Sequence, residues 1–207
     1  MKKTNKLIKL KDFITQNKLL VFLSLVLLCG IFLGSNIEEL MKNQTVENIT
    51  SMFLNDFKNR AFQPIFYVFI TSLSSIFLFI LVSFFLGLSI WGFLLVPILP
   101  FFRGLGIGLV QNYLYSQYGL KGLLFQLIVL FPGFFISSIA ILLMAKESIL
   151  ISQNFSNILV FRSNPKIEKN TDLKNYIIKV GIILSIALGS VIIDIFLNFF
   201  FLRFFSF

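Results

Sequence analysis

The chain has 207 residues, of which 57% are hydrophobic and only 13% are charged, and phenylalanine alone accounts for 28 of them. A soluble domain carries about 25% charged residues, so the composition excludes an ordinary soluble protein. The formal net charge is +9, but the basic residues cluster beside apolar runs, where they orient a membrane protein and meet anionic lipid. We therefore expect membrane lipids, and not nucleic acid, as partners of this charge.

Five apolar runs are long enough to cross a bilayer, because a hydrocarbon layer about 30 Å thick needs about 20 helical residues. The runs lie at about 19–34, 65–86, 93–113, 122–145 and 176–202. The sequence thus predicts an all-α polytopic integral membrane protein with about five transmembrane helices. We assign residues 19–207 to a single membrane domain.

The charged segments between the runs predict the orientation of the chain. Residues 1–18 contain six lysines and one acid, and the segment 146–179 has six basic and three acidic residues, whereas 36–62 has a net charge of −1. Basic segments stay on the cytoplasmic side of a membrane. We therefore predict a cytoplasmic N-terminal segment at 1–18, an outer loop at 36–62, a cytoplasmic linker at 146–179, and a place in the plasma membrane.

The segment 87–110 is almost wholly apolar and carries one charge, Arg103. A charge at the centre of a membrane helix costs about 2.5–3.5 kcal/mol on insertion scales, so it needs a partner or a task. Asp194 is the only acid deep in an apolar run. We predict an intramembrane ion pair between Arg103 and Asp194; the alternative is a polar site for a substrate or a partner helix.

Glycines spaced by four residues share a helix face and let a second helix approach closely. Gly30 and Gly34 have this spacing in the first run, and Gly104 and Gly108 have it after Arg103. The predicted helix-packing positions are Gly30, Gly34, Gly87, Gly92, Gly104 and Gly108.

The residues needed for the common intramembrane chemistries are missing from the sequence. The chain contains no histidine and one cysteine, Cys29, which excludes an H-E-x-x-H zinc site and a serine–histidine pair. A membrane aspartyl protease needs two facing aspartates, and only Asp194 lies within an apolar run. The sequence Gly104-Leu-Gly106-Ile-Gly108 lacks the strand and spacing of a dinucleotide loop. We predict no enzymatic activity, no cofactor and no metal site.

The stretch GLSIWGFLLVPILPFFRGLGIGL resembles stage II sporulation protein M and its wider bacterial family. That family similarly shows a Gly-Leu-Ser-x-x-Gly turn, an apolar run, and a basic residue followed by spaced glycines. The basic N-terminus with LLCGIFLGSNIEEL and the proline-bearing fourth run are also similar. The residues that carry the motif here are Gly87, Leu88, Ser89, Gly92, Arg103, Gly104 and Gly108.

This chain departs from the family at two positions and in the long segment 146–179, and the departures at Gly133 and in 146–179 leave open a paralogue that does not act in sporulation. The family more often has lysine where Arg103 stands, and a polar residue commonly follows the proline where Gly133 stands here. Asp194 is the candidate counterpart of an acid in the family's last span.

The resemblance implies a non-enzymatic membrane scaffold. Family members that act in sporulation anchor a cell-wall-degrading complex containing stage II sporulation proteins D and P, which thins septal peptidoglycan and supports engulfment of the forespore. The segment 36–62 would then face the wall enzymes. Two other classes stay open: a lipid-binding membrane protein, and a permease subunit working with a separate ATPase, in which Pro97, Pro100, Arg103 and Asp194 line a gated path.

Overall fold

The computed structural model describes residues 17–36, 65–159 and 173–201. Its helices are Lys18–Ser35, Ile65–Gly87, Gly92–Leu95, Ile98–Phe125, Phe131–Leu159 and Leu173–Phe201, with a π-helical segment at Gln126–Leu130. These described residues contain no β-strand. Helices suit this sequence because a chain in lipid has to satisfy its backbone hydrogen bonds internally.

Five stretches are long and apolar enough to cross a membrane, which confirms the predicted all-α polytopic fold and defines a multi-pass membrane protein. From here they are called spans 1 to 5, in the order Lys18–Ser35, Phe69–Gly87, Gly92–Ser116, Tyr118–Ser156 and Lys174–Leu197. The cytoplasmic placement of the N-terminus stays a prediction. The predicted outer loop at 36–62 lies outside the described residues except for Asn36, and so does the N-terminal segment before Asn17.

Span 4 is the most buried of the five and contacts each of the others. Span 1 packs mainly on span 3, which is the most extensive contact in the described residues. Spans 2 and 5 pack on each other and on span 4. Residues of span 4 therefore lie at most of the interhelical contacts described below.

A single residue turns the chain from span 3 into span 4. Gly119 has φ 56° and ψ −135°, a conformation that residues with a Cβ rarely adopt. A Cβ added at Gly122 would overlap the carbonyl oxygen of Leu114, so the chain doubles back tightly there. Residues 114–121, which fall between the third and fourth predicted runs, are helical on both sides of Gly119.

Helices extend from both sides into the segment 146–179, which the sequence predicts as a cytoplasmic linker. The helix of span 4 continues through Lys146 and Glu147 to Leu159, and the last helix begins at Leu173. The helix continues because Ser148, Ile149, Ile151 and Ser152 are buried, while Glu147 accepts a hydrogen bond from Lys179 Nζ at 2.7 Å. Only 160–172 separates the two helices, and that segment lies outside the described residues.

A π-helical segment interrupts span 4 just before Pro132. Proline has no N–H and cannot bond the carbonyl four residues earlier, which disturbs the α-helical pattern around it. The wider turn at Gln126–Leu130 is the form that such an interruption takes. It sets the register of the following residues, including Gly133 and Ser137.

Candidate functional site

Four of the predicted packing glycines meet in the contact between spans 1 and 3. A Cβ added at Gly30 would lie 3.2 Å from the Cα of Gly104 and would overlap the carbonyl oxygen of Phe101. A Cβ added at Gly108 would lie 3.0 Å from the carbonyl carbon of Gly34. The atoms in the way are backbone atoms, so this close approach requires glycine at these positions.

The other two predicted packing glycines bound the turn between spans 2 and 3. A Cβ at Gly87 would lie 2.7 Å from the Tyr176 hydroxyl, and a Cβ at Gly92 would overlap the carbonyl oxygen of Leu86. Ser152 of span 4 fixes this turn, because its Oγ accepts the N–H of Phe93 at 2.9 Å and donates to a turn carbonyl at 2.7 Å. The turn is therefore held tightly against spans 4 and 5.

Buried hydroxyl groups continue this contact toward span 5. The Oγ atoms of Ser83 and Ser148 lie 3.1 Å apart, and Ser148 Oγ lies 3.1 Å from the Tyr176 hydroxyl. The Tyr176 ring stacks on Phe84, with ring centroids 5.4 Å apart. These contacts join spans 2, 4 and 5 at the end of the bundle that carries the turn.

The Ser152→Ala variant should lose about 1–2 kcal/mol of unfolding free energy, because it leaves the Phe93 N–H and a turn carbonyl without their shared partner. Equilibrium unfolding of the purified protein in mixed micelles measures this loss. Ser185→Ala is the matched control, since Ser185 is exposed and bonds only the Gly181 carbonyl of its own helix. Equal stability of the two variants would show that Ser152 does not hold the turn.

Arg103 is bound by span 4. Its Nη2 donates a hydrogen bond of 2.7 Å to Ser137 Oγ, which donates in turn to the carbonyl of Phe134 at 3.0 Å. The guanidinium carbon lies 5.4 Å from the centroid of the Phe134 ring, within the range of a cation–π contact. Groups from a neighbouring helix thus contact the charge and hold the side chain in place.

Asp194 is 8% exposed and lies against the same part of span 4. A Cβ added at Gly133 would come within 2.9 Å of both Cβ and Oδ1 of Asp194. Ser72 of span 2 donates a long hydrogen bond of 3.5 Å to Asp194 Oδ2. The carboxylate therefore occupies space that glycine leaves open, which accounts for glycine after the proline of this span.

Both predicted charges are thus brought to one turn of span 4. Gly133 and Ser137 are four residues apart and share a helix face. On this face, Gly133 lies against Asp194 and Ser137 accepts the hydrogen bond from Arg103. We call Ser72, Arg103, Ser137 and Asp194 the intramembrane polar layer. It connects spans 2, 3, 4 and 5, and a direct Arg103–Asp194 ion pair within it stays a prediction.

Sequence reasoning missed the two span 4 residues that contact the predicted charges, Ser137 within the layer and Gly133 beside it. Ser137 and Gly133 are small residues in an apolar run, and small residues are common in membrane helices. Their spacing of four after Pro132 was the available signal. Nothing in the sequence indicated Ser72 as a neighbour of Asp194.

Among residues 17–36, 65–159 and 173–201, no group of three or more His, Cys, Asp or Glu side chains is placed to hold a metal ion. The polar layer consists of one guanidinium, one carboxylate and two hydroxyls. Each of these groups contacts a neighbouring span. This arrangement can hold helices together, because water does not compete for polar groups that are buried at this depth.

Comparison of the chain with models of protein families, with curated proteins and with solved structures finds no match.

Proposed function

We propose that this chain is a non-enzymatic scaffold in the plasma membrane for a sporulation cell-wall-degrading complex. In this role it supports removal of septal peptidoglycan and engulfment of the forespore. The proposed partners are stage II sporulation proteins D and P. The proposal rests on the resemblance to the stage II sporulation protein M family, and one structural observation supports it.

That observation concerns the contacts that the residues carrying the resemblance make in the structure. Gly87 and Gly92 fit the turn against neighbouring helices, Arg103 bonds span 4, and Gly104 and Gly108 pack on span 1. All five contribute to contacts between helices. A motif in which five of seven residues serve interhelical contacts suits a rigid platform, whose task is to keep its surfaces in a fixed arrangement.

The permease alternative assigns Arg103 and Asp194 to a gated path. In the described structure Arg103 donates to Ser137, and Asp194 fits against Gly133. These packing contacts between spans give both residues a structural role, which is all that the scaffold requires of them.

Deletion of the gene, followed by imaging of the membranes during spore formation, tests the proposed function. We expect a block at engulfment with a thick septal wall, because the wall-degrading complex would lose its anchor. Complementation sharpens the result: a gene carrying Gly106→Leu should restore engulfment, and one carrying Gly104→Leu should not. Normal engulfment in the deletion strain would refute the sporulation role.

Purification of the tagged full chain from sporulating membranes in mild detergent tests the partners. We expect stage II sporulation proteins D and P to co-purify with the wild type and with the Gly106→Leu variant. An ATPase recovered in their place would support the permease.

A further inference from the structure

The turn between spans 2 and 3 presents large apolar side chains on its outer surface. Trp91 is 67% exposed, and Leu88, Leu94 and Leu95 are 40%, 55% and 44% exposed. The backbone of the turn is fixed by Ser152 and by the close fit of its two glycines. A fixed turn cannot fold these side chains back onto the protein, so they meet whatever surrounds this end of the bundle.

Charged residues indicate where this end of the bundle lies relative to the bilayer. Leu19 packs in one cluster with Leu86 and Phe93, which flank the turn, so the adjacent Lys18 lies at the same level. At that end Lys179 bonds Glu147, and Lys146 precedes Glu147 in the chain. Among the described residues near the turn, lysines thus outnumber acids, a charge balance that complements anionic lipid headgroups.

The turn lies at the depth of the headgroups. The turn lies against Ser148 at Gly87 and against Ser152 at Phe93, which are two and six residues beyond Lys146, or about 3 and 9 Å along the helix. A bilayer has a hydrocarbon core of about 30 Å and a total thickness of about 40–45 Å, so each headgroup layer spans about 5–8 Å. The lysines and the turn therefore both lie close to the boundary between hydrocarbon and water.

We propose that the turn at 87–92, with Leu94 and Leu95, is a lipid-binding surface that inserts into the headgroup layer of the bilayer. The turn carries no charge of its own, and the polar group that Trp91 offers is the indole N–H. Tryptophan favours this boundary because its ring is apolar and its N–H bonds lipid oxygen atoms. The turn thereby fixes the depth of spans 2 and 3, independently of the proposed scaffold function.

Trp91 is the only tryptophan of the chain, so its fluorescence reports on the turn alone. The test uses the purified full chain, reconstituted into vesicles of phosphatidylcholine and phosphatidylglycerol. One set of vesicles contains lipid brominated close to the glycerol backbone, a second contains lipid brominated near the chain ends, and a third receives aqueous iodide. We expect the first lipid to quench Trp91 most strongly, with weak quenching by iodide.

A variant with Trp91→Phe and Phe102→Trp calibrates the depth. Phe102 is 57% exposed on the same span and lies roughly 15 Å deeper along the helix. Both changes are at exposed positions, so the fold should be kept. We expect the order of the two brominated lipids to reverse in this variant.

Three results would overturn the lipid-binding surface. Strong quenching by iodide without quenching by lipid would place Trp91 in water, where a soluble protein partner could reach it. Protection from every quencher would mean that another protein surface, such as a second copy of the chain, covers the turn. Stronger quenching by lipid brominated near the chain ends would place Trp91 in the hydrocarbon core.

Discussion

Replacing Gly104 with leucine should force span 1 away from span 3 and lower the unfolding free energy by about 3 kcal/mol or more. A side chain at this position meets the carbonyl oxygen of Leu27, and its Cβ would lie 3.0 Å from the backbone nitrogen of Ile31. Those atoms belong to a helix backbone and cannot rotate aside, so the helices themselves must separate. Unfolding in mixed micelles measures the loss.

Gly106→Leu is the matched control on the same helix. A Cβ at Gly106 meets no atom within 4 Å, and leucine is a better helix former than glycine. This variant should be as stable as the wild type or slightly more stable. Equal losses for Gly104→Leu and Gly106→Leu would contradict the close contact between spans 1 and 3.

Arg103→Gln should lose about 3–5 kcal/mol, the range for removing one member of a buried charged pair. The change removes the hydrogen bond to Ser137 and the contact with the Phe134 ring. It also deprives Asp194 of its predicted counter-charge. The loss should appear in the unfolding free energy of the variant in micelles and in its reduced yield from membranes.

Arg103→Lys separates charge from shape in this prediction. Lysine keeps a positive charge and can donate to Ser137, but it lacks the planar guanidinium that stacks on an aromatic ring. We therefore expect an intermediate loss of unfolding free energy. Stability of Arg103→Gln equal to that of the wild type would show that the charge plays no part in holding the spans together.

The five spans could be predicted because hydropathy over about 20 residues is a property of the local sequence. The end of span 4 could not be predicted in this way, because the charges of Lys146 and Glu147, taken alone, indicate the end of a membrane helix. Glu147 is bonded by Lys179, which is 32 residues away in the chain, and this contact lets the helix continue. Helix ends of this kind depend on tertiary contacts.

The candidate site shows the same division between local and tertiary information. The four-residue spacing of Gly30, Gly34, Gly104 and Gly108 is visible in the sequence, and so is the isolation of Arg103 and Asp194. Which helices meet at these residues depends on how each helix is rotated about its axis. In span 4 that rotation is altered by the π-helical segment at Gln126–Leu130. The periodicity of the sequence does not predict this segment.

We predict that Arg103 and Asp194 act together as a link between spans 3 and 5. A double-mutant cycle of Arg103→Gln and Asp194→Asn, followed by unfolding in mixed micelles, tests it most directly. Each single variant leaves one buried charge without its partner, and the double variant leaves neither. We therefore predict a double variant more stable than the sum of the two losses implies, with a coupling of more than about 1 kcal/mol. Losses that add to within about 0.5 kcal/mol would contradict the link.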